Sequence, residues 1–236
     1  MKKLFIAIVF IYSVNSFAQA FTGSTGRAYR NTMINYIAEN KRFENNKEFT
    51  EEFEGSAFIQ NGFKVGVIND NTKKHVLFKY NAYRDEILIK NEENLTYYTL
   101  LKGLGTKIKA LNTHNEDVYI VFKHGKKQEN RFFKHVFHTV DKKIHLLIKE
   151  KVIFVEGKKP KTGYDEYEKP HFKKLDDKFY VSFDDENAIE IPKSRRKFTV
   201  LFGDKKDKIK SFIKRNKKDH REKQDLIAIL KYYNSL

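Results

Sequence analysis

The chain has 236 residues, 47 Lys and Arg against 31 Asp and Glu, a net charge of +16, and neither Cys nor Trp. That excludes disulfides, thiolate catalysis and Cys-ligated metal, so stability must come from a packed core, which a chain of this length can build. The positive excess points to polyanionic partners.

Lys2 and Lys3 open the chain, an apolar run follows from Leu4 to Tyr12, and Ser16-Phe17-Ala18-Gln19-Ala20 supplies small residues at a signal-peptidase spacing. Residues 1–20 therefore read as a signal peptide, cut after Ala18 or Ala20. The apolar run is shorter than the about 20 residues a membrane helix needs, and no later stretch qualifies as a transmembrane segment. No Cys follows it, so a soluble exported chain without a lipoprotein-type anchor is expected. Its location would be the periplasm, the outer-membrane surface or the extracellular space.

Residues 21–54 read as a polar N-terminal segment. Tyr29, Met33, Tyr36 and Ile37 share one face of a short helix. Glu39–Glu54 holds six Glu against Lys41, Arg42 and Lys47 and has little periodicity.

From Gly55 the pattern changes to short apolar runs divided by turn residues. Expected strands are Ala57–Gln60, Phe63–Ile68, His75–Tyr80, Glu86–Lys90, Thr96–Leu101, Lys107–Leu111, Val118–Lys123, Arg131–Thr139, Ile144–Lys149, Lys151–Glu156, Phe179–Phe183, Ala188–Ile191 and Lys197–Phe202. Asn61-Gly62 reads as a two-residue hairpin turn, Asn69–Thr72 as a second turn, and Gly157–Pro170 as the longest irregular stretch. Val, Ile, Phe and Tyr dominate these runs, and no βαβ rhythm appears. Residues 55–202 are thus expected to form a mainly β domain, an antiparallel sandwich or a curled, barrel-like sheet.

Residues 203–236 read as a C-terminal α-helical hairpin packed on the β domain. Asp204 would cap a helix with Ile209, Phe212 and Ile213 on its apolar face. Asp219 with Glu222 resembles a capping box before Leu226, Ile227, Leu230 and Tyr233.

Two stretches carry a resemblance. Phe78-Lys79-Tyr80-Asn81-Ala82-Tyr83-Arg84-Asp85-Glu86-Ile87 is similar to a strand–turn–strand unit of exported Bacteroidetes proteins of unknown function, in which a basic residue precedes Tyr-Asn, then Tyr, then Asp-Glu. The ending resembles the same proteins, from Lys161-Thr162-Gly163-Tyr164-Asp165 through Leu201-Phe202-Gly203-Asp204 to Tyr232-Tyr233-Asn234-Ser235-Leu236. Residues 21–54 are outside it. The resemblance implies an envelope protein with a β-rich body and a C-terminal helix pair, and it transfers no catalytic residue.

Catalytic signatures are missing from the sequence. No Ser lies in a Gly-x-Ser-x-Gly elbow, and Gly103-Leu104-Gly105 lacks the third glycine and the helix of a phosphate loop. Asp184-Asp185-Glu186-Asn187 has clustered oxygens but not the spacing of a calcium loop, and reads as a hairpin turn. Tyr164, Tyr167 and Phe172 beside Lys161, Lys169, Lys173 and Lys174 read as a loop packed by its own aromatics. His135 and His138 fall on opposite faces of a regular strand. Sharing a metal would require a bulge and further ligands, such as His145 or His124. No enzyme activity, metal or cofactor is therefore assigned.

The basic residues cluster. Lys193–Lys223 holds fourteen of them against four acids. The candidate polyanion-binding set is Lys193, Arg195, Arg196, Lys205, Lys206, Lys210, Lys214, Arg215, Lys217 and Lys218; Lys serving only for solubility is the competing account. Partners behind an export signal would be anionic envelope polymers, lipid headgroups or another envelope protein, ahead of nucleic acid. The expected function is a non-enzymatic envelope scaffold or binding protein. The alternatives are a polyanion-binding module built on the basic hairpin, or a curled sheet that holds lipid or a small ligand.

Overall fold

The Val-, Ile-, Phe- and Tyr-rich runs form strands because branched and aromatic side chains suit a pleated, half-buried surface. The computed structural model describes residues 37–39, 53–90, 97–111, 117–139, 141, 143–158, 160 and 167–236. The chain divides into two units, Met1–Ile37 and Ala38–Leu236. The described residues belong to the second, apart from Ile37. The expected signal lies outside them, as do Tyr29, Met33 and Tyr36; Ile37 opens a short strand instead of closing a helix.

In chain order the strands are β1 (Ile37–Glu39), β2 (Lys64–Ile68), β3 (Val76–Asn81), β4 (Glu86–Lys90), β5 (Tyr97–Leu100), β6 (Lys107–Ala110) and β7 (Val118–His124), followed by β8 (Glu129–Thr139), β9 (Ile144–Lys149), β10 (Val152–Val155), β11 (His171–Lys174), β12 (Lys178–Ser182) and β13 (Asn187–Glu190). The molecule is mainly β, with a C-terminal helix pair.

Strands β7, β8, β9, β12 and β13 are neighbours in that order, and β13 returns to β7, so five strands close a barrel. Direction alternates along such a meander, so its first and fifth strands run the same way. The closing pair is accordingly parallel, Asn187 opposite Lys123 and Ala188 opposite His124. It uses only the C-terminal end of β7. The N-terminal part, Val118–Ile120, pairs with β6 instead. Through β7 the barrel is continuous with a wing ordered β6-β2-β3-β4-β5-β1.

Alternation gives the barrel strands two faces. Phe122, Phe133, Leu147, Tyr180 and Ala188 pack together inside. A barrel of so few strands is narrow, and large side chains fill it. Ile144, Leu146 and Val181 point outward and would be costly to expose. They are covered by Phe198, Phe202, Ile209, Ile213, Leu226, Ile229 and Leu230 of the helical region, each at most 2% exposed.

That region is α1 (Arg195–Val200), a 3₁₀ turn (Gly203–Lys205), α2 (Lys206–Arg215) and α3 (Lys223–Asn234). The expected strand Lys197–Phe202 is therefore a helix followed by a turn. A strand would bury residues 198, 200 and 202 on one face. Here Phe198, Thr199 and Phe202 are buried and Val200 is 55% exposed, a helical pattern. Neither expected cap forms. Lys205 occupies the cap position of α2 and Glu222 that of α3, with no side-chain capping bond at either. Asp204 pairs with Lys205, and Asp219 with Arg221. Asp225, in the first turn of α3, takes the Asp219 N–H at 2.8 Å.

Two further expectations change. Ala57–Gln60 does not fold back on β2 through Asn61-Gly62. Its backbone follows the end of β3, with the Ile59 N–H on the Tyr80 carbonyl and the Ala82 N–H on the Ala57 carbonyl. Gly62 is not among the positive-φ residues, so the type I′ turn is excluded. That geometry occurs instead at Asn69 (φ 49°) and Asp70 (φ 58°), with the Asn71 N–H on the Ile68 carbonyl. Strand β11 has no counterpart among the expected strands; it pairs with β10 to extend the β9–β12 hairpin as an arm. Phe172 on that arm packs edge-on against Phe53, Tyr83 and Phe154.

A buried polar cluster joins wing to barrel. Asp85, on the β3–β4 turn at φ 58°, is 5% exposed. It accepts from the Tyr80 hydroxyl at 2.9 Å, from Lys149 Nζ of β9 at 2.5 Å and from Lys102 Nζ at 3.2 Å. Lys149 also donates to the Phe132 carbonyl of β8 at 2.6 Å. Alongside, the Tyr119 hydroxyl donates to Glu150 at 2.7 Å, and the Tyr80 and Tyr119 ring centroids are 4.6 Å apart. Burial lowers Lys149 from the usual lysine range, although Asp85 opposes it; burial and then Asp85 push Tyr80 well up.

Candidate functional site

The basic residues owe their exposure to helix periodicity. Ile209 and Ile213 of α2 turn into the core, which leaves Lys208, Lys210, Lys214 and Arg215 outside and Lys206 half-buried. Lys193 is exposed on the link from β13 to α1, Arg195 and Arg196 in the first turn of α1, and Lys217 on the link from α2 to α3. Two of the ten candidates are neutralised. Lys205 pairs with Asp204 at 2.9 Å and Lys218 with Asp225 at 2.8 Å. The hydrogen bond from each lysine, ahead of its charge, holds the partner carboxyl below the ordinary aspartate value. The other eight have no ion pair among the described residues, in contrast to Lys64, Lys102, Lys123 and Lys149 of the β body.

The structure gathers part of the set. Lys214 and Arg215 line an open groove of about 770 Å³ with Lys208, Ser211 and Asp207 of α2 and Leu236. Its aromatic wall is Phe212 against Tyr232 of α3, stacked with centroids 4.2 Å apart and planes 9° from parallel. Cations beside partly exposed aromatic rings suit an anionic polymer that also carries apolar surface. Phe212 is visible in sequence as part of the apolar face of α2. Tyr232 has no such signal, because it meets Phe212 only when the helices fold together.

A second cluster lies on the inner face at one end of the barrel. The β8–β9 register shifts between His135 and Phe137, so Val136 is an extra residue, a bulge. It sends Val136 and Phe137 toward the helical core. His138 then shares a face with His135, and it stands directly opposite His145. The His135 and His138 centroids are 5.1 Å apart, His135 and His145 5.1 Å, and His138 and His145 6.1 Å. His135 Nε2 is 3.0 Å from His145 Nδ1, and His145 Nε2 is 2.6 Å from Asp185 Oδ1. With Asp185 accepting from His145 Nε2–H, His145 Nδ1 accepts from His135 Nε2–H. Burial, then repulsion from His145, His138 and Lys107, lowers His135 to about 4. Burial also lowers His145, against the pull of Asp185. His124 lies apart from this chain of bonds and meets the Ala188 carbonyl at 3.2 Å.

No protein-family model, curated protein or solved structure matches the chain. Among the described residues, no helix is long and apolar enough to cross a membrane.

The remaining candidates are structural. Asp184 is spent on its own turn, accepting the Glu186 and Asn187 N–H groups at 2.9 and 2.7 Å. Burial opposes its ionisation, but these bonds and the Asn187 side chain outweigh that and hold it near 2. Gly105 makes a turn at φ 73° between β5 and β6. Tyr164 and Lys161 lie outside the described residues.

Proposed function

We propose that the protein is an exported, non-enzymatic envelope protein whose binding face is the basic surface of the C-terminal helices. Its ligands are anionic envelope polymers or headgroups. Export rests on Met1–Ala20. Binding rests on one observation: Lys206, Lys208, Lys210, Lys214, Arg215 and Lys217 have no ion-pair partner among the described residues, and three of them flank an aromatic-walled groove. A solubilising face does not need that groove. The filled barrel gives the lipid-cavity alternative no support.

The test is heparin binding by the chain lacking residues 1–20, measured across a salt series. Binding should weaken linearly on a log–log plot, as counterion release requires. Changing Lys206, Lys210, Lys214 and Arg215 together to Ser should cost at least about tenfold in affinity at low salt, with the circular dichroism spectrum unchanged. Salt-independent binding, or full affinity in the quadruple variant, would refute this function.

A further inference from the structure

We propose that His135, His138 and His145, on the inner face at one end of the barrel, bind a divalent transition-metal ion of the zinc class. The site is independent of the basic helical face, and its ligands are three imidazoles from two adjacent strands.

The bulge is the first support. A regular β8 would send His138 away from His135; the extra Val136 restores it to the same side, opposite His145. The second is the pair already in place. His135 Nε2 and His145 Nδ1 are 3.0 Å apart. Two nitrogens bound to zinc at about 2.0–2.1 Å each are about 3.3 Å apart at a tetrahedral angle. Opening the pair by a few tenths of an ångström, with both rings tilted so that their lone pairs converge off the N···N line, admits the ion. It takes the place of the shared proton, which moves to Nδ1 of the same neutral His135 ring.

The third is the outer partner. Asp185 Oδ1, 2.6 Å from His145 Nε2, fixes the tautomer that leaves Nδ1 free to ligate. A carboxylate behind a ligating imidazole is the usual support of a histidine metal site. Lys143 steadies Asp185 from the other side at 3.2 Å. As the rings stand, no three donors among the described residues enclose one point. The third arrives by rotation of His138, which is exposed and has its centroid 5.1 Å from that of His135. Imidazoles around one zinc ion have centroids about 5 Å apart, from the bond length and the size of the ring.

One nearby charge opposes binding and is partly offset. Lys107 of β6 repels positive charge at His135, and its pairing with Asp70 offsets part of that repulsion. Three imidazoles leave a fourth position open to water or an outside ligand. Nitrogen donors suit zinc, copper(II) or nickel(II) more than calcium or magnesium.

The experiment is calorimetric titration of zinc into the metal-free chain lacking residues 1–20 at pH 7, repeated with cobalt(II) read by its visible absorption. One ion per chain and a tetrahedral cobalt spectrum are expected. His145→Gln should abolish the spectrum, and Asp185→Asn should weaken binding by about 10–100-fold. His138→Ala, at an exposed position with little to lose in folding, should weaken it by at least about tenfold. Absence of one-to-one binding in the parent chain, or undiminished binding in either His145→Gln or His138→Ala, overturns the proposal.

Discussion

At the scale of single residues, His135 couples the fold to pH. Folded, it titrates near 4; the ordinary histidine value is 6.5. The unfolded chain therefore takes up its proton first as pH falls. Its contribution to stability is complete above 6.5 and is lost as pH drops through 4. His145 shifts in the same direction. The lowered carboxyls of Asp117, Asp184 and Asp185 start from 3.8, so their losses come below this window. Urea midpoints measured without metal should fall between pH 7 and 4.5, and His135→Gln should flatten that slope. An equal slope in parent and variant would show that other groups carry it.

At the scale of elements, the strands were largely legible because their apolar runs follow the side-chain alternation of a pleated chain. Elements that depend on a partner were not. Phe198-Thr199-Val200-Leu201-Phe202 is apolar enough for a strand, and only the exposure of Val200 marks it as helical. His171–Lys174 has no strong alternation and becomes a strand by pairing with Val152–Val155. Within β2, Gly66 is set by tertiary contact. A Cβ there would meet the Lys109 carbonyl and the Phe78 ring at 2.6 Å, and Phe78 is fully buried. Gly66→Ala should destabilise by about 1–3 kcal/mol, seen as a lower urea midpoint with unchanged slope. A midpoint equal to the parent's would mean that β2 and β6 can separate without cost.

For the whole molecule, the interest lies in how the wing is held to the barrel. Asp85 comes from the wing, while Lys149 and Phe132 come from the barrel. Lys149 keeps its side chain only 16% exposed beside this carboxylate. Asp85→Ala would leave that ammonium without its counter-charge and should cost about 3–5 kcal/mol. Thermal unfolding should shift down accordingly. A loss below 1 kcal/mol, within the range of exposed pairs, would mean that water can replace the carboxylate.

Composition and pattern were enough to determine a β-rich body, a basic helical end and the exclusion of disulfide and thiolate chemistry, because these follow from residue type and local period. Barrel closure was decided by tertiary structure, since the parallel pairing of β7 with β13 joins residues far apart in the chain. The two sites divide in the same way. The basic face was legible because charge is written in the sequence, whereas its aromatic wall needed α3 to fold onto α2. The histidine cluster depended on one extra residue. On a regular strand His135 and His138 point apart, and whether a strand bulges is settled by its neighbours' register, which the sequence of that strand alone does not carry.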